Sequence, residues 1–106
     1  MSDGSPTLRE AQTAIDAWIR ENGGYWEPLA LVARLAEETG EVARCYNHHF
    51  GPKRPKAGEP AGDLAEELGD VLWIVLCMAN AQGIDLSEQL DRVMTKLRVR
   101  DAGRHG

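Results

Sequence analysis

A chain of 106 residues, 27% charged and 42% apolar, has the size and composition of one globular domain and is too small for a large enclosed cavity. Its net charge of −5 argues against nucleic acid or an anionic membrane as the main partner, since both select basic surfaces. No apolar run reaches the length of a membrane span and no signal peptide is recognisable; Cys45 and Cys77 lie in apolar helical contexts, so the expectation is a cytoplasmic protein with reduced, buried thiols.

Residues 1–6 read as a loose start. Thr7 with Glu10 forms a capping box. Leu8, Ala11, Ile15, Trp18 and Ile19 then follow helical spacing, and Asn22-Gly23-Gly24 ends the helix. Pro28 suits the first turn of a second helix, expected to run to about His49 with Leu31, Leu35, Val42 and Cys45 as its stripe. Residues 50–60 hold two glycines and three prolines and read as a loop, made basic by Lys53, Arg54 and Lys56. A third helix is expected from about Gly62 to Gln82, with Leu64, Leu68, Val71, Val75 and Ala79 as its stripe and Gly83 as its stop. Asp85 caps a fourth helix, with Glu88 three residues on and a face of Leu86, Leu90, Val93, Met94 and Leu97. Residues 101–106 are polar and expected to fray. With no useful strand signal, the predicted fold is all-α, a single domain of four helices.

Two segments nearly repeat. Residues 35–42 read Leu-Ala-Glu-Glu-Thr-Gly-Glu-Val, and residues 64–71 read Leu-Ala-Glu-Glu-Leu-Gly-Asp-Val. Each copy places three acidic side chains within five residues, where like charges repel along a helix. A cation held between two helices accounts for both clusters at once. At 100° per residue, Glu38 falls inside the apolar stripe of its helix, with Glu41 on the flank and Glu37 further out. Glu67 lies on the flank of the next helix, and Asp70 lies beyond it on the same side. A carboxylate in a core-facing stripe is costly unless paired or bound to metal. Gly40 and Gly69 occupy matching places beside the acids, at a helical cost of about 1 kcal/mol each relative to alanine. They serve either close helix packing or access for a ligand.

Oxygen ligands without a histidine partner indicate a hard cation, Mg²⁺ or Mn²⁺. A di-iron bundle also uses helical glutamates, but its Glu-x-x-His pairs are missing here. His48 and His49 sit at a helix end, away from the acidic turns. Mg²⁺ bound by carboxylates usually also coordinates substrate phosphates, which points to a triphosphate substrate. Lys53, Lys56, Lys96 and Arg100 are candidates for the remaining phosphate oxygens, against the simpler readings of a solvated loop and a helix C-terminus that favours positive charge. Asn80 either reads a base or sugar or satisfies a neighbouring backbone group. Tyr25, Trp26 and Trp73 either stack on a base or pack in a core or interface.

The pattern Glu37-Glu38-Thr39-Gly40-Glu41, a spacer, then Glu67-Leu68-Gly69-Asp70 resembles the signature of the MazG-like nucleotide pyrophosphohydrolases, in the all-α NTP pyrophosphatase superfamily. The resemblance extends from about Leu8 to Arg104 and includes Tyr46-Asn47-His48, Gly51-Pro52-Lys53, Cys77-Met78-Ala79-Asn80 and Gly83-Ile84-Asp85, which look like the short, single-domain bacterial branch. It implies a four-helix bundle assembled as a homodimer or a homotetramer of two dimers. It also implies a Mg²⁺-dependent hydrolase cleaving an NTP or dNTP to the monophosphate and pyrophosphate, with housekeeping of the nucleotide pool as the expected role. Carried over, Glu38, Glu41, Glu67 and Asp70 are the expected metal ligands, with Glu37 as well as Glu38 expected in catalysis, Glu37 for water activation or a second metal. Two other readings stand beside it: a catalytically silent Mg²⁺-nucleotide binder, and a structural helical dimer whose acids form a solvated face.

Overall fold

Thr7 opens the first helix as its chemistry dictates. Its hydroxyl accepts from the Glu10 N–H at 3.1 Å, and the Glu10 carboxylate accepts from the Thr7 N–H at 2.8 Å. Two donors that the helix itself leaves unmet are thereby satisfied. The computed structural model describes residues 4–105, with the side chains of residues 4–100. Four helices follow one another: α1 (Leu8–Glu21), α2 (Pro28–Phe50), α3 (Leu64–Ala81) and α4 (Leu86–His105). No strand occurs among the described residues.

The punctuation is that of the sequence. Pro28 stands in the first turn of α2. Gly83, with φ +69°, ends α3 in a conformation that other residues adopt only with strain. The Asp85 Oδ1 accepts from the N–H groups of Ser87 and Glu88 at 2.9 and 3.3 Å and caps α4. Helix α4 then continues to His105, through the stretch expected to fray.

The most extensive helix contact joins α2 to α3. Cys45 of α2 lies against Gly62, just before α3 begins, whereas Glu38 meets Glu67 and Asp70. The two helices are therefore antiparallel, and the near-repeated segments lie across from one another. Helix α1 packs on α3 around a small core of Ile19, Leu31 and Cys77, flanked by Ile15, Tyr25, Met78 and Ala81. Both cysteines are buried free thiols, and burial pushes both pKa values up.

Two expected stripes shift. On α3 the buried residues are Ile74, Leu76, Cys77 and Ala79, while Leu68 is half exposed. Helix α3 is apolar on nearly every side past Asp70, so packing of α1, rather than periodicity, selects the covered face. On α4 the apolar face is present but uncovered: every side chain from Glu88 to Arg100 is exposed. Helix α4 contacts α1 chiefly through its N-terminal end. There Gln12, itself buried, donates to Asn80 Oδ1 and the Ile84 carbonyl, both at 2.9 Å. It also accepts from the Leu86 N–H at 2.9 Å. Arg9 adds an ion pair to Asp85 at 2.7 Å. The radius of gyration is 17.5 Å, against about 13 Å for a compact chain of this length.

Candidate metal centre and active site

The antiparallel α2–α3 hairpin turns two acidic helical turns toward each other. One carboxylate oxygen each from Glu38, Glu67 and Asp70 lies within 4.8 Å of the other two. Glu38 is buried, Glu67 half buried and Asp70 exposed, so the trio opens from the hairpin interior to the surface. Burial, and then the negative charges of Glu41, Asp70, Glu38 and Glu66, push the Glu67 pKa above the usual carboxylate value. A carboxylate so placed holds a proton, or any cation, more tightly than a free one.

Glu41 belongs to the same field, since its charge is the first among those acting on Glu67, but it stands outside the trio and pairs with Arg44 at 3.7 Å. Glu37 is exposed and lies 3.7 Å from Arg34. The Arg34 guanidinium also reaches Glu38, Nε to Oε1, at 3.0 Å. The sequence pattern alone did not single out Arg34, although its spacing four residues before Glu38 was legible as an ion-pair register.

The donor set fits a hard divalent cation: carboxylate oxygens from two helices, three acids together against the single guanidinium of Arg34. No histidine among the described residues joins it. The His49 Nε2 lies 2.6 Å from the Gly62 carbonyl and ties the end of α2 to the start of α3; His48 lies beside Glu59. A Cβ added at Gly40 or Gly69 would meet nothing within 4 Å. Close packing of α2 on α3 does not require these glycines, and both leave open space beside the acids.

The other sequence candidates are dispersed. Lys53 borders a recess with Arg44, Asn47 and His48 at the end of α2. Asn80 accepts from the Gln12 side chain and donates to the Gln12 carbonyl at 2.9 Å, so both ends of its amide are engaged in joining α1 to α3. Lys96 and Arg100 stand on the exposed stretch of α4. The aromatic residues do converge. A pocket of about 300 Å³ between the end of α1, the start of α2 and α3 is lined by Trp18, Tyr25, Trp26, Leu31, Trp73 and Cys77, among others. The Trp18 and Trp73 rings meet edge to face with centroids 6.0 Å apart. Trp73 lies one helical turn beyond Asp70, which sets this pocket next to the acids. The Tyr25 hydroxyl donates to Asp16 at 2.6 Å, and burial followed by that bond raises its pKa to about 12.

Residues 26–105 match the model of the MazG nucleotide pyrophosphohydrolase domain. The chain belongs to that family. The MazG domain accounts for three quarters of the chain and includes both acidic turns. Among curated relatives, the uncharacterized protein YpjD of Bacillus subtilis is 46% identical over 105 residues, covering 98% of this chain and 93% of that protein. The crystal structure of YpjD superposes with a TM-score of 0.79 at 43% identity, covering 92% of this chain and 98% of that one. The crystal structure of a Bacillus-conserved MazG protein, a nucleotide pyrophosphohydrolase, superposes with a TM-score of 0.75 at 42% identity, covering 89% and 92% of the two chains. The protein is thus an enzyme of the MazG nucleotide pyrophosphohydrolase family, and its four-helix fold is that of its relatives.

Proposed function

We propose that the protein hydrolyses a nucleoside or deoxynucleoside triphosphate to the monophosphate and pyrophosphate, with Mg²⁺ as the cofactor. The observation that carries this reading is the trio Glu38, Glu67 and Asp70, with oxygens inside 4.8 Å and too little positive charge to balance them. A divalent cation held by the trio and by Glu41 would offset phosphate charge and acidify a bound water. Glu37, exposed beside Arg34, would accept the proton that water releases as its oxygen joins phosphorus and the bridging oxygen leaves with pyrophosphate. The open space beside Gly40 and Gly69 admits the phosphate chain close to the backbone. The aromatic pocket beside Asp70 receives the base by stacking, its tryptophan edges and faces offering more contact than hydrogen-bond selection.

The uncovered face of α4 supports a homodimer or a pair of homodimers. Leu90, Val93, Met94 and Leu97 are each between 43% and 51% exposed, and such a stripe is normally covered by a partner. Lys96 and Arg100, exposed on the same helix, would then be available to the acidic hairpin of a second copy. A soluble enzyme of the cytoplasm acting on the nucleotide pool suits these features; no helix among the described residues is long and apolar enough to cross a membrane.

The test is product analysis over a panel of canonical and modified NTPs and dNTPs, with Mg²⁺ present or chelated, beside Glu38→Gln. Monophosphate with pyrophosphate, dependent on metal and lost in the variant, is the expected result. Nucleotide- and Mg²⁺-dependent thermal stabilisation without any product would instead establish a silent binder.

A further inference from the structure

We propose that the recess at the C-terminal end of α2, lined by Arg44, Asn47, His48 and Lys53, is an anion subsite for the terminal phosphates of the substrate, and that the Glu59 carboxylate engages two of its side chains, Arg44 and His48, until those phosphates arrive. The inference rests on the triphosphate reading above and names which residues hold the leaving end. The recess encloses about 320 Å³ and has no acidic residue in its wall. One carboxylate of the loop stands against two of the lining side chains: the Glu59 Oε1 lies 3.3 Å from the Arg44 Nη2 and 3.7 Å from the His48 Nε2. An internal carboxylate seated between an arginine and an imidazole marks where an external oxyanion is favoured.

The simpler account of basic residues here is that they offset the negative end of the α2 dipole. Arg54 already fills that role, with its Nη1 donating to the carbonyls of His49 at 3.2 Å and His48 at 3.4 Å. Lys53 forms no ion pair or side-chain hydrogen bond among the described residues, so its charge is left for something else. Arg44 connects the two sites. Its Nη1 lies 3.7 Å from Glu41, and its Nη2 faces Glu59. Glu41, Arg44 and His48 follow one another at helical i, i+3 and i+7 spacing along one face, about 10 Å from end to end. A polyphosphate chain reaches from the acidic trio into the recess; a monophosphate does not.

Displacing Glu59 needs no refolding of the loop. Its backbone is held by the Glu59 N–H to the Lys56 carbonyl at 2.9 Å, and the loop ends are tied at Gly51 and Gly62. Rotation of one side chain frees Arg44 and His48 for another anion. A pyrophosphate group, carrying more charge than a carboxylate, takes its place on Arg44 and His48 and adds Lys53.

The experiment is calorimetric titration of inorganic pyrophosphate in Mg²⁺ into the full chain and into Glu59→Gln, Arg44→Gln and Lys53→Ala. Adenosine monophosphate serves as the control ligand, and thermal melts verify the fold. Glu59→Gln is expected to bind pyrophosphate about fivefold more tightly, because it keeps its shape and loses the competing charge. Arg44→Gln and Lys53→Ala are expected to weaken pyrophosphate about tenfold and leave the monophosphate unchanged. Pyrophosphate affinity unaltered in Glu59→Gln and in Lys53→Ala, or monophosphate weakened in step with it, overturns the subsite. These titrations need no turnover. A blank substrate panel with the expected shifts would retire the hydrolase reading and keep the subsite; turnover with no shifts would do the reverse.

Discussion

Arg34 and Glu38 form an ion pair one helical turn apart, with 3.0 Å between Nε and Oε1, and the Glu38 side chain is only 11% exposed. The buried acid of the candidate trio is thus held by a cation of its own helix, and a divalent ion bound there would compete with that guanidinium. Arg34→Gln is expected to tighten Mn²⁺ or Mg²⁺ binding by about three- to tenfold, in line with loss of one competing charge at a partly exposed site. Titration calorimetry of the nucleotide-free protein measures it. Weaker metal binding in the variant would mean that Arg34 orients Glu38 for the metal rather than competing with it.

The Glu67 carboxyl fixes the sign of one pH effect. Its folded-state pKa is raised above 4.5, first by burial and then by its acidic neighbours. In the window from that ordinary value up to the raised one, the folded protein binds more protons than the unfolded chain, so stability falls as pH rises. The metal-free protein is expected to lose Tm from pH 4.5 toward neutrality. Glu67→Gln should flatten this slope and melt no lower than wild type at pH 7. Saturating Mg²⁺ should reverse the trend, because metal binding requires the deprotonated form. Melting curves over a pH series, with and without chelator, give all three results.

Gln12 is the clamp between α1 and the α3–α4 turn. Gln12→Ala removes two donated bonds and one accepted bond and leaves the Leu86 N–H without its partner. A loss of about 2–3 kcal/mol is expected in urea unfolding. Arg9→Ala, which breaks only the exposed pair with Asp85, should cost no more than about 1 kcal/mol.

The proposed association rests on the exposed apolar face of α4. Leu90→Glu with Leu97→Glu places charge on a stripe that is already about half exposed in the single chain, so the fold of α1 to α3 should persist while association is lost. Analytical ultracentrifugation is expected to give a dimer or tetramer for wild type and a monomer for the double variant. A monomeric wild type would leave α4 as a free arm.

Much of the molecule is legible in the sequence because its helix ends use side chains with local, short-range chemistry. Thr7, Pro28, Gly83 and Asp85 each mark a boundary that depends on no distant residue. The acidic trio is legible for a related reason: the near-repeat places charge where a lone helix would not tolerate it. What escapes is whatever depends on a distant partner. Leu68 and Ile74 are equally apolar, and only α1 decides that Ile74 is buried and Leu68 half exposed. Asn80 leaves two readings open, ligand contact or backbone partner, until Gln12, 68 residues earlier, takes both ends of its amide. Glu59 sits in a loop whose composition says only that it turns, and its approach to Arg44 and His48 is a matter of tertiary placement.

The two acidic turns face each other as near copies, but their surroundings differ. Four residues before Glu38 stands Arg34; four residues before Glu67 stands Asp63, whose Oδ1 accepts from the Glu66 N–H at 3.2 Å and caps α3. One copy is flanked by a cation paired with its own acids and the other by an anion that caps a helix start. A ligand with two identical ends would find such a hairpin indifferent in chemistry and lopsided in field. For a ligand with unlike ends, the mismatch gives the hairpin a direction, so the chain can distinguish head from tail although its two acidic turns are spelled almost alike.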